Sequence, residues 1–90
     1  MKRVEIIANR SVEEDLMEAF ASAGLAKAYT KIPVVHGVGR SDPKMGDAVW
    51  PEENFVLLCY CDEAEAGRMA EVVAELKLRF PHEGIKVFTT

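Results

Sequence analysis

The chain has 90 residues, enough for one domain with a single hydrophobic core, and its 49% hydrophobic and 29% charged content is typical of a globular protein. Its formal net charge is -4, with acidic and basic residues interspersed, so it lacks the basic stripe that nucleic acid binding requires. No apolar run approaches the ~20 residues of a membrane span, and the sequence therefore predicts a cytoplasmic protein without membrane insertion.

The first predicted strand covers Lys2 to Ala8, where alternate apolar residues share one face. Ser11 follows, with Glu14 three residues later, and this spacing is typical of a capping box at the start of a helix. The helical pattern continues as far as Gly24, a residue suited to the C-terminal cap. The chain is therefore predicted to open with a strand and a helix.

A long polar connection separates the next two predicted strands. The second strand runs roughly from Ala28 to His36 and contains Pro33, which predicts an edge position or a bulge. The third, Phe55 to Cys61, is apolar on both faces and is expected at the centre of the sheet. About eighteen residues, Gly37 to Asn54, join them, although antiparallel neighbours need only about two to five. We interpret this connection as the functional loop.

The remaining elements complete a recognisable order. Asp62, with Glu65 at the third position, predicts the start of a second helix that continues to about Phe80 and stops at Pro81. A short strand from Ile85 to Thr89 follows. The order βαββαβ predicts an α+β fold, the ferredoxin-like plait, with an antiparallel four-stranded sheet and two helices on one face. Residues 1–90 are thus expected to form a single domain.

Two helices on one side leave the other side of the sheet without a cover. Val56, Leu58 and Tyr60 share one face of the third strand, and a second set shares the opposite face. One of the two sets must therefore face away from the helices. An apolar face of this kind predicts self-association, and we expect a homo-oligomer.

Two stretches resemble a known family. The opening MKRVEIIANRSVEEDLMEAFASAGL is similar to the start of the PII-type nitrogen-regulatory signalling proteins, in which a strand with paired isoleucines leads into an acidic helix closed by glycine. The run from Gly37 to Arg40 resembles the GxGR motif that opens their long signalling loop. The resemblance implies trimers that are not enzymes, bind ATP, ADP or 2-oxoglutarate between subunits, and contact partner proteins through the loop.

The resemblance also implies a set of ligand-binding residues. It positions Gly37, Gly39 and Arg40 at the base of the loop beside a nucleotide cleft, with Lys86 near the family's phosphate-binding lysine. ATP, ADP or AMP is then the expected effector. Successive amides with a guanidinium can form an anion-binding nest. The alternative is that both glycines only let the chain leave an edge strand at positive φ.

This sequence differs from the family's usual pattern at two places. Between the second helix and the last strand the family carries a Gly-rich loop with Thr and Lys, whereas this chain has only residues 81–84, which include His82. The long loop contains Ser41 but no tyrosine, the usual site of covalent modification. We therefore expect a PII-like relative without that modification, and we interpret His82 as a residue of a solvated turn.

The middle of the long loop has the composition of a contact surface. Lys44, Asp47 and Trp50 give it mixed charge and one large aromatic residue. Tryptophan is favoured at interfaces because it buries a large area at little entropic cost. These residues predict contact with a partner protein that the sequence does not identify. The alternative is that Trp50 folds back on the core of its own trimer.

The two cysteines suggest a second class of function. Cys59 and Cys61 are expected to point the same way at roughly 6.5–7 Å, which favours free thiols over a disulfide. With His36 from the neighbouring strand they could bind a soft metal, although Cys59 is most simply a small core residue. The alternative function is therefore a CutA-like divalent-metal-binding trimer that uses His36, Cys59, Cys61 or His82.

Overall fold

A computed structural model of the protein describes residues 1–38 and 53–90. Strand β1 (Lys2–Asn9) leads through a short 3-10 helix, Arg10–Val12, into helix α1 (Glu13–Ser22). Strands β2 (Thr30–Val35) and β3 (Asn54–Cys61) follow, then helix α2 (Glu63–Arg79) and strand β4 (Ile85–Thr89). The predicted βαββαβ order is confirmed. Among these residues no helix is both long enough and apolar enough to cross a membrane.

In this described part of the chain, the strands form one four-stranded sheet in the order β2-β3-β1-β4. Every neighbouring pair is antiparallel. The apolar strand β3 is central, as its sequence predicts, and β2 lies at an edge. The β2–β3 register shifts between Ile32 and Val35, on either side of Pro33. Proline has no amide to donate to a ladder, so an irregular edge strand is where it is tolerated.

The core lies between the helices and one face of the sheet. Val4, Ile6 and Ala8 of β1 pair with Cys59, Leu57 and Phe55 of β3. All six are buried, because residues two apart on a strand point to the same face. Both helices contribute side chains that complete this core: Leu16 and Phe20 from α1, and Ala66, Met69, Val73 and Leu76 from α2.

The structure confirms the predicted cap at the C-terminal end of α1 but not the predicted cap at its N-terminal end. At the C-terminal end the amide of Leu25 donates to the Phe20 carbonyl (2.9 Å) and that of Gly24 donates to Ala21 (3.1 Å). This is a Schellman motif, with Gly24 at φ +69° as predicted. The predicted capping box at Ser11 is wrong. Asn9 at the end of β1 accepts the Ser11 amide instead (2.9 Å), so a 3-10 turn forms before the α-helix begins.

Replacing a leucine of this core should destabilise the fold far more than replacing an exposed one. Leu57 is 0% exposed, and Leu57→Ala should lower the free energy of unfolding by about 2–5 kcal/mol through lost burial and a residual cavity. The matched control is Leu78→Ala, because Leu78 is 83% exposed, and a change within about 0.5 kcal/mol is expected there. Urea denaturation measures both values, and equal losses would contradict the assignment of the core face.

Candidate functional site

All four strands begin or end at one end of the sheet, and the predicted loop joins β2 to β3 there. We call this end of the sheet the loop edge. β2 ends here at Val35, which pairs with Asn54 at the start of β3. Asn54 also pairs with Asn9, the last residue of β1. β4 begins here at Ile85, opposite Ala8. All four strands therefore bring a terminus to this edge, and residues attached to it can lie around a common site.

Glu53 joins three of these strand ends. Its backbone carbonyl accepts the Arg10 amide (2.8 Å), and its carboxylate accepts a hydrogen bond from the Arg10 guanidinium (Nη1 to Oε1, 2.8 Å). The other carboxylate oxygen lies 3.5 Å from His36 Nε2, and this contact is an ion pair when the imidazole is protonated. The ends of β1 and β2 are thus tied to the residue that precedes β3. Sequence reasoning gave Glu53 no role, because its partners are distant in the chain.

The structure describes two of the predicted ligand-binding residues, and it does not bring them together. Gly37 follows β2 at one side of the sheet, whereas Lys86 is exposed on β4 opposite Ile7. Three strand spacings of ~4.8 Å separate these two sides, so the residues are at least about 14 Å apart. A single ligand bridging Gly37 and Lys86 within one chain is therefore not favoured by the geometry.

The conformation of Gly37 also bears on why a glycine stands there. Its φ lies outside the left-handed region, so the alternative explanation, that it lets the chain leave β2 at positive φ, is wrong for this residue. A Cβ added at Gly37 would be 3.6 Å from Asn54 Nδ2, an ordinary contact. The other predicted residues of the loop lie outside the described residues: Gly39, Arg40, Lys44, Asp47 and Trp50.

The face of the sheet that points away from the helices, which we call the open face, is largely apolar. Ile32 is 44% exposed, Phe88 48% and Tyr60 61%, large values for such side chains. An ion pair between Arg3 and Glu5 (2.8 Å) lies among them, and the register puts Lys86, opposite Ile7, on this face as well. Strand alternation and register assign six apolar side chains to this face: Ile7, Ile32, Val56, Leu58, Tyr60 and Phe88.

The two cysteines lie toward the opposite end of β3 from the loop edge. Cys59 is the fifth residue after Asn54 along the strand, which corresponds to ~17 Å. His36 follows Val35, the partner of Asn54, and is therefore at the far end from both thiols. The predicted combination of His36, Cys59 and Cys61 is not formed within one chain. His82 is an exposed turn residue between α2 and β4, in agreement with the interpretation of a solvated turn.

The structure brings the carboxylate of Glu65, and not His36, close to the two cysteines. The ligand atoms of Cys59, Cys61 and Glu65 lie within 4.8 Å of one another, and we call these three residues the thiol cluster. Both cysteines are free and buried. Burial, and to a smaller extent the neighbouring Cys61, raise the pKa of the Cys59 thiol to about 11. Burial also raises the pKa of Cys61. Both are therefore protonated at neutral pH, which does not suit a catalytic nucleophile.

Sequence reasoning missed Glu65 as a neighbour of the thiols because it had assigned this residue to helix capping. The cap itself is present, since the Glu65 amide donates to Asp62 Oδ1 (2.7 Å). The Glu65 side chain accepts a hydrogen bond from the Ala26 amide (3.0 Å). The sequence did contain one signal for this contact. Only Asp62 separates Cys61 from the helix, so the first turn of α2 has to lie close to the end of β3.

Removing the Asp62 cap should destabilise this end of α2. Asp62→Ala leaves the Glu65 amide without its acceptor and should lower the free energy of unfolding by about 0.5–2 kcal/mol. Asp62→Asn is the matched control, because asparagine is an equally good cap and should retain most of the stability. Chemical denaturation of both variants provides the measurement, and equal losses in the two would argue against the cap.

The fold and the loop edge define an α+β plait whose distinctive feature is the long β2–β3 connection. The family model described as "Nitrogen regulatory protein P-II" matches residues 1–90. The chain therefore belongs to the P-II family, and the resemblance seen in the sequence is confirmed. This is a family of regulatory proteins. The CutA-like alternative gains no support from the comparisons.

Solved structures share this fold over nearly the whole chain. A PII-like signalling protein from Thermus thermophilus (TTHA0516) has 25% identity and a TM-score of 0.69, over 99% of this chain and 83% of that one. CPII from Thiomonas intermedia K12, bound to ADP and bicarbonate, has 21% identity and a TM-score of 0.77, over 99% and 82% of the two chains. A search of curated proteins gives no match.

Proposed function

We propose that this chain is a PII-like regulatory protein of the cytoplasm that forms a homotrimer through its open face. In this proposal a small anionic effector, most simply an adenine nucleotide, binds in clefts between subunits, and the loop at residues 37–54 contacts a partner protein. The proposal rests on one observation: the open face of the sheet is apolar, and the loop edge adjoins it. No catalytic role is proposed.

The open face supports assembly because exposed apolar side chains gain free energy when another surface covers them. Val56 lies near its centre, between Ile7 and Ile32 on the neighbouring strands, and Leu58 is the next residue of β3 on this face, between Glu5 and Thr30. At roughly 25 cal/mol per Å² of buried apolar area, covering such a patch is strongly favourable. A partner copy supplies a surface of the same apolar character, which is why self-association is the simplest way to cover it.

The separation of Gly37 and Lys86 favours a cleft between subunits. A cyclic trimer uses heterologous contacts, in which one surface of a chain meets a different surface of the next. The β2 side of one copy can then approach the β4 side of its neighbour. Such an arrangement brings together Gly37 and Lys86 from different chains, whereas at least about 14 Å separates them within one chain.

The choice of an adenine nucleotide rests on chemistry and on similar proteins. Arg40 and Lys86 would provide two cations for phosphate oxygens, and the amides around Gly37 and Gly39 would add donors. CPII from Thiomonas intermedia K12 is bound to ADP and bicarbonate in one structure and to ADP, AMP and bicarbonate in another. We therefore include bicarbonate among the ligands to test.

The proposed partner contact depends on residues whose side chains are suited to an interface. Trp50 would be the anchor, and Lys44 and Asp47 would supply charges of opposite sign for orientation. Because the loop is attached at the same edge as the proposed cleft, a ligand that binds the loop base can change which loop conformations are populated. The loop would in this way report effector binding to the partner.

The trimer can be tested with one substitution on the open face. The unmodified protein should show three times the 10.0 kDa chain mass by light scattering. Leu58→Asp should yield monomers, because three buried carboxylates would have no compensating partners. Leu78→Asp is the matched control on the exposed side of α2 and should remain trimeric. Unmodified protein that is folded but monomeric by light scattering would contradict the assembly.

Nucleotide binding can be tested by titration calorimetry with ATP, ADP and AMP, with and without bicarbonate. Arg40→Ala and Lys86→Ala should each weaken binding at least about tenfold, or about 1.4 kcal/mol, because each removes a charge-assisted contact to phosphate. Trp50 is the only tryptophan, so its fluorescence reports on the loop directly and should change as the nucleotide binds.

Arg68→Ala is the control for this titration, since Arg68 is exposed near the start of α2, which follows Cys61 at the far end of β3 from the loop edge. It should leave nucleotide affinity unchanged. Binding that is equally insensitive to Arg40→Ala and Lys86→Ala would reject the proposed residues. A trimer that binds none of the nucleotides would reject the effector class while leaving the assembly in place.

A further inference from the structure

The thiol cluster owes its geometry to a very short connection between β3 and α2. Cys61 is the last residue of β3, Asp62 is the N-cap, and α2 begins at Glu63. Glu65 therefore lies in the first helical turn, directly after the strand, and its side chain returns toward the face that holds the two sulfurs. The Sγ atoms and a Glu65 carboxylate oxygen lie within 4.8 Å of one another.

The segment between α1 and β2 holds two of these three groups in position. The Ala26 amide donates to Glu65 Oε2 (3.0 Å), and the Cys59 thiol donates to the Ala28 carbonyl (3.4 Å). Ala26 has φ +52°, in the left-handed region that residues with a side chain rarely adopt. In metal sites, hydrogen bonds of this kind from neighbouring groups orient the side chains that bind the metal.

The donor set selects a class of ion. Two thiolates favour zinc, cadmium and other thiophilic ions over Mg²⁺ and Ca²⁺, which prefer oxygen ligands throughout. Zinc bonds of ~2.3 Å to sulfur and ~2.1 Å to oxygen in a tetrahedron correspond to ligand separations of about 3.6–3.8 Å. Separations within 4.8 Å can close to these values by about 1 Å through side-chain rotation.

The surroundings provide access and charge balance. A cavity of about 310 Å³ adjoins the cluster and is lined by Cys59 and Glu65 together with Gly24, Lys27, Ala28 and Tyr60. A divalent ion with two thiolates and a carboxylate would carry a net charge of about -1, and the ammonium of Lys27 at the cavity wall is suited to offset it. The cavity would also admit water or a small ligand at the fourth coordination position.

We propose that Cys59, Cys61 and Glu65 form a binding site for one thiophilic divalent cation per chain. The two cysteines by themselves would be ordinary core residues, but the half-buried Glu65 carboxylate, held by the Ala26 amide, adds a third ligand atom within 4.8 Å of both sulfurs. A cation between the three groups would use all of these ligands at once. This site lies at the other end of β3 from the loop edge, so it is independent of the proposed nucleotide cleft.

The test uses the full chain, reduced and treated with chelator, and titrates it with Zn²⁺ in competition with a chromophoric chelator. One ion should bind per chain, and an excess of Mg²⁺ should not displace it. Cd²⁺ should bind at the same site and produce an ultraviolet thiolate-to-metal charge-transfer band. Zn²⁺ should also raise the midpoint of thermal unfolding, because it binds the folded state.

Matched substitutions identify the ligands. Cys59→Ala and Cys61→Ala should each weaken Zn²⁺ binding at least about 100-fold, and Glu65→Gln at least about tenfold, since even the loss of a supporting residue costs about 10–100-fold. Glu65→Gln has nearly the same shape and retains an oxygen that can accept the Ala26 amide, so it should fold normally. Glu63→Gln, in the same helical turn, should leave the affinity unchanged.

Three results would overturn the proposal. The first is Zn²⁺ affinity that is the same in the chain carrying both Cys59→Ala and Cys61→Ala as in the unmodified protein. The second is tight binding that disappears with His36→Ala while Glu65→Gln has no effect, because the site would then lie at the loop edge. Absence of the Cd²⁺ charge-transfer band would equally exclude thiolate ligands.

Discussion

The strict alternation of side chains along β3 is the constraint on which the rest of this structure depends. Because β3 is central and each successive residue points to the opposite face, Phe55, Leu57, Cys59 and Cys61 pack beneath the helices. Val56, Leu58 and Tyr60 then have to point the other way. A shift of one residue in the β1–β3 register would exchange the two sets, so the buried core specifies the register and the register creates the open face.

The same strand separates two chemically different regions. Its first residue, Asn54, belongs to the loop edge, where Glu53, Arg10 and His36 form a polar network around the ends of three strands. Its last residues carry thiols that are buried and protonated at neutral pH. This network and the two thiols are thus kept about the length of a strand apart. The proposed nucleotide and the proposed metal ion would therefore not compete for the same atoms.

Membership in the P-II family gives this arrangement a regulatory context. A domain of this size buries a limited fraction of its surface by itself, and burying the open face in an assembly would add to its stability. The separation of Gly37 and Lys86 has the same implication for the proposed function, because a neighbouring copy would bring these two proposed ligand-binding residues together. Stability and ligand binding would then depend on the same contact.

The sequence by itself determined the element order, the central position of β3, the edge position of β2 and the family. These features follow from local signals: period-two and helical apolar patterns, Pro33, the caps at Gly24 and Asp62, and the opening motif. It could not determine which polar residues meet. Asn9 displaced Ser11 as the cap, Glu53 joined three strand ends, and Glu65 replaced His36 beside the cysteines, because such contacts depend on strand register and on how a helix returns over the sheet. Only the tertiary structure decides these, since the partners are far apart in the chain or their side chains could serve two roles locally.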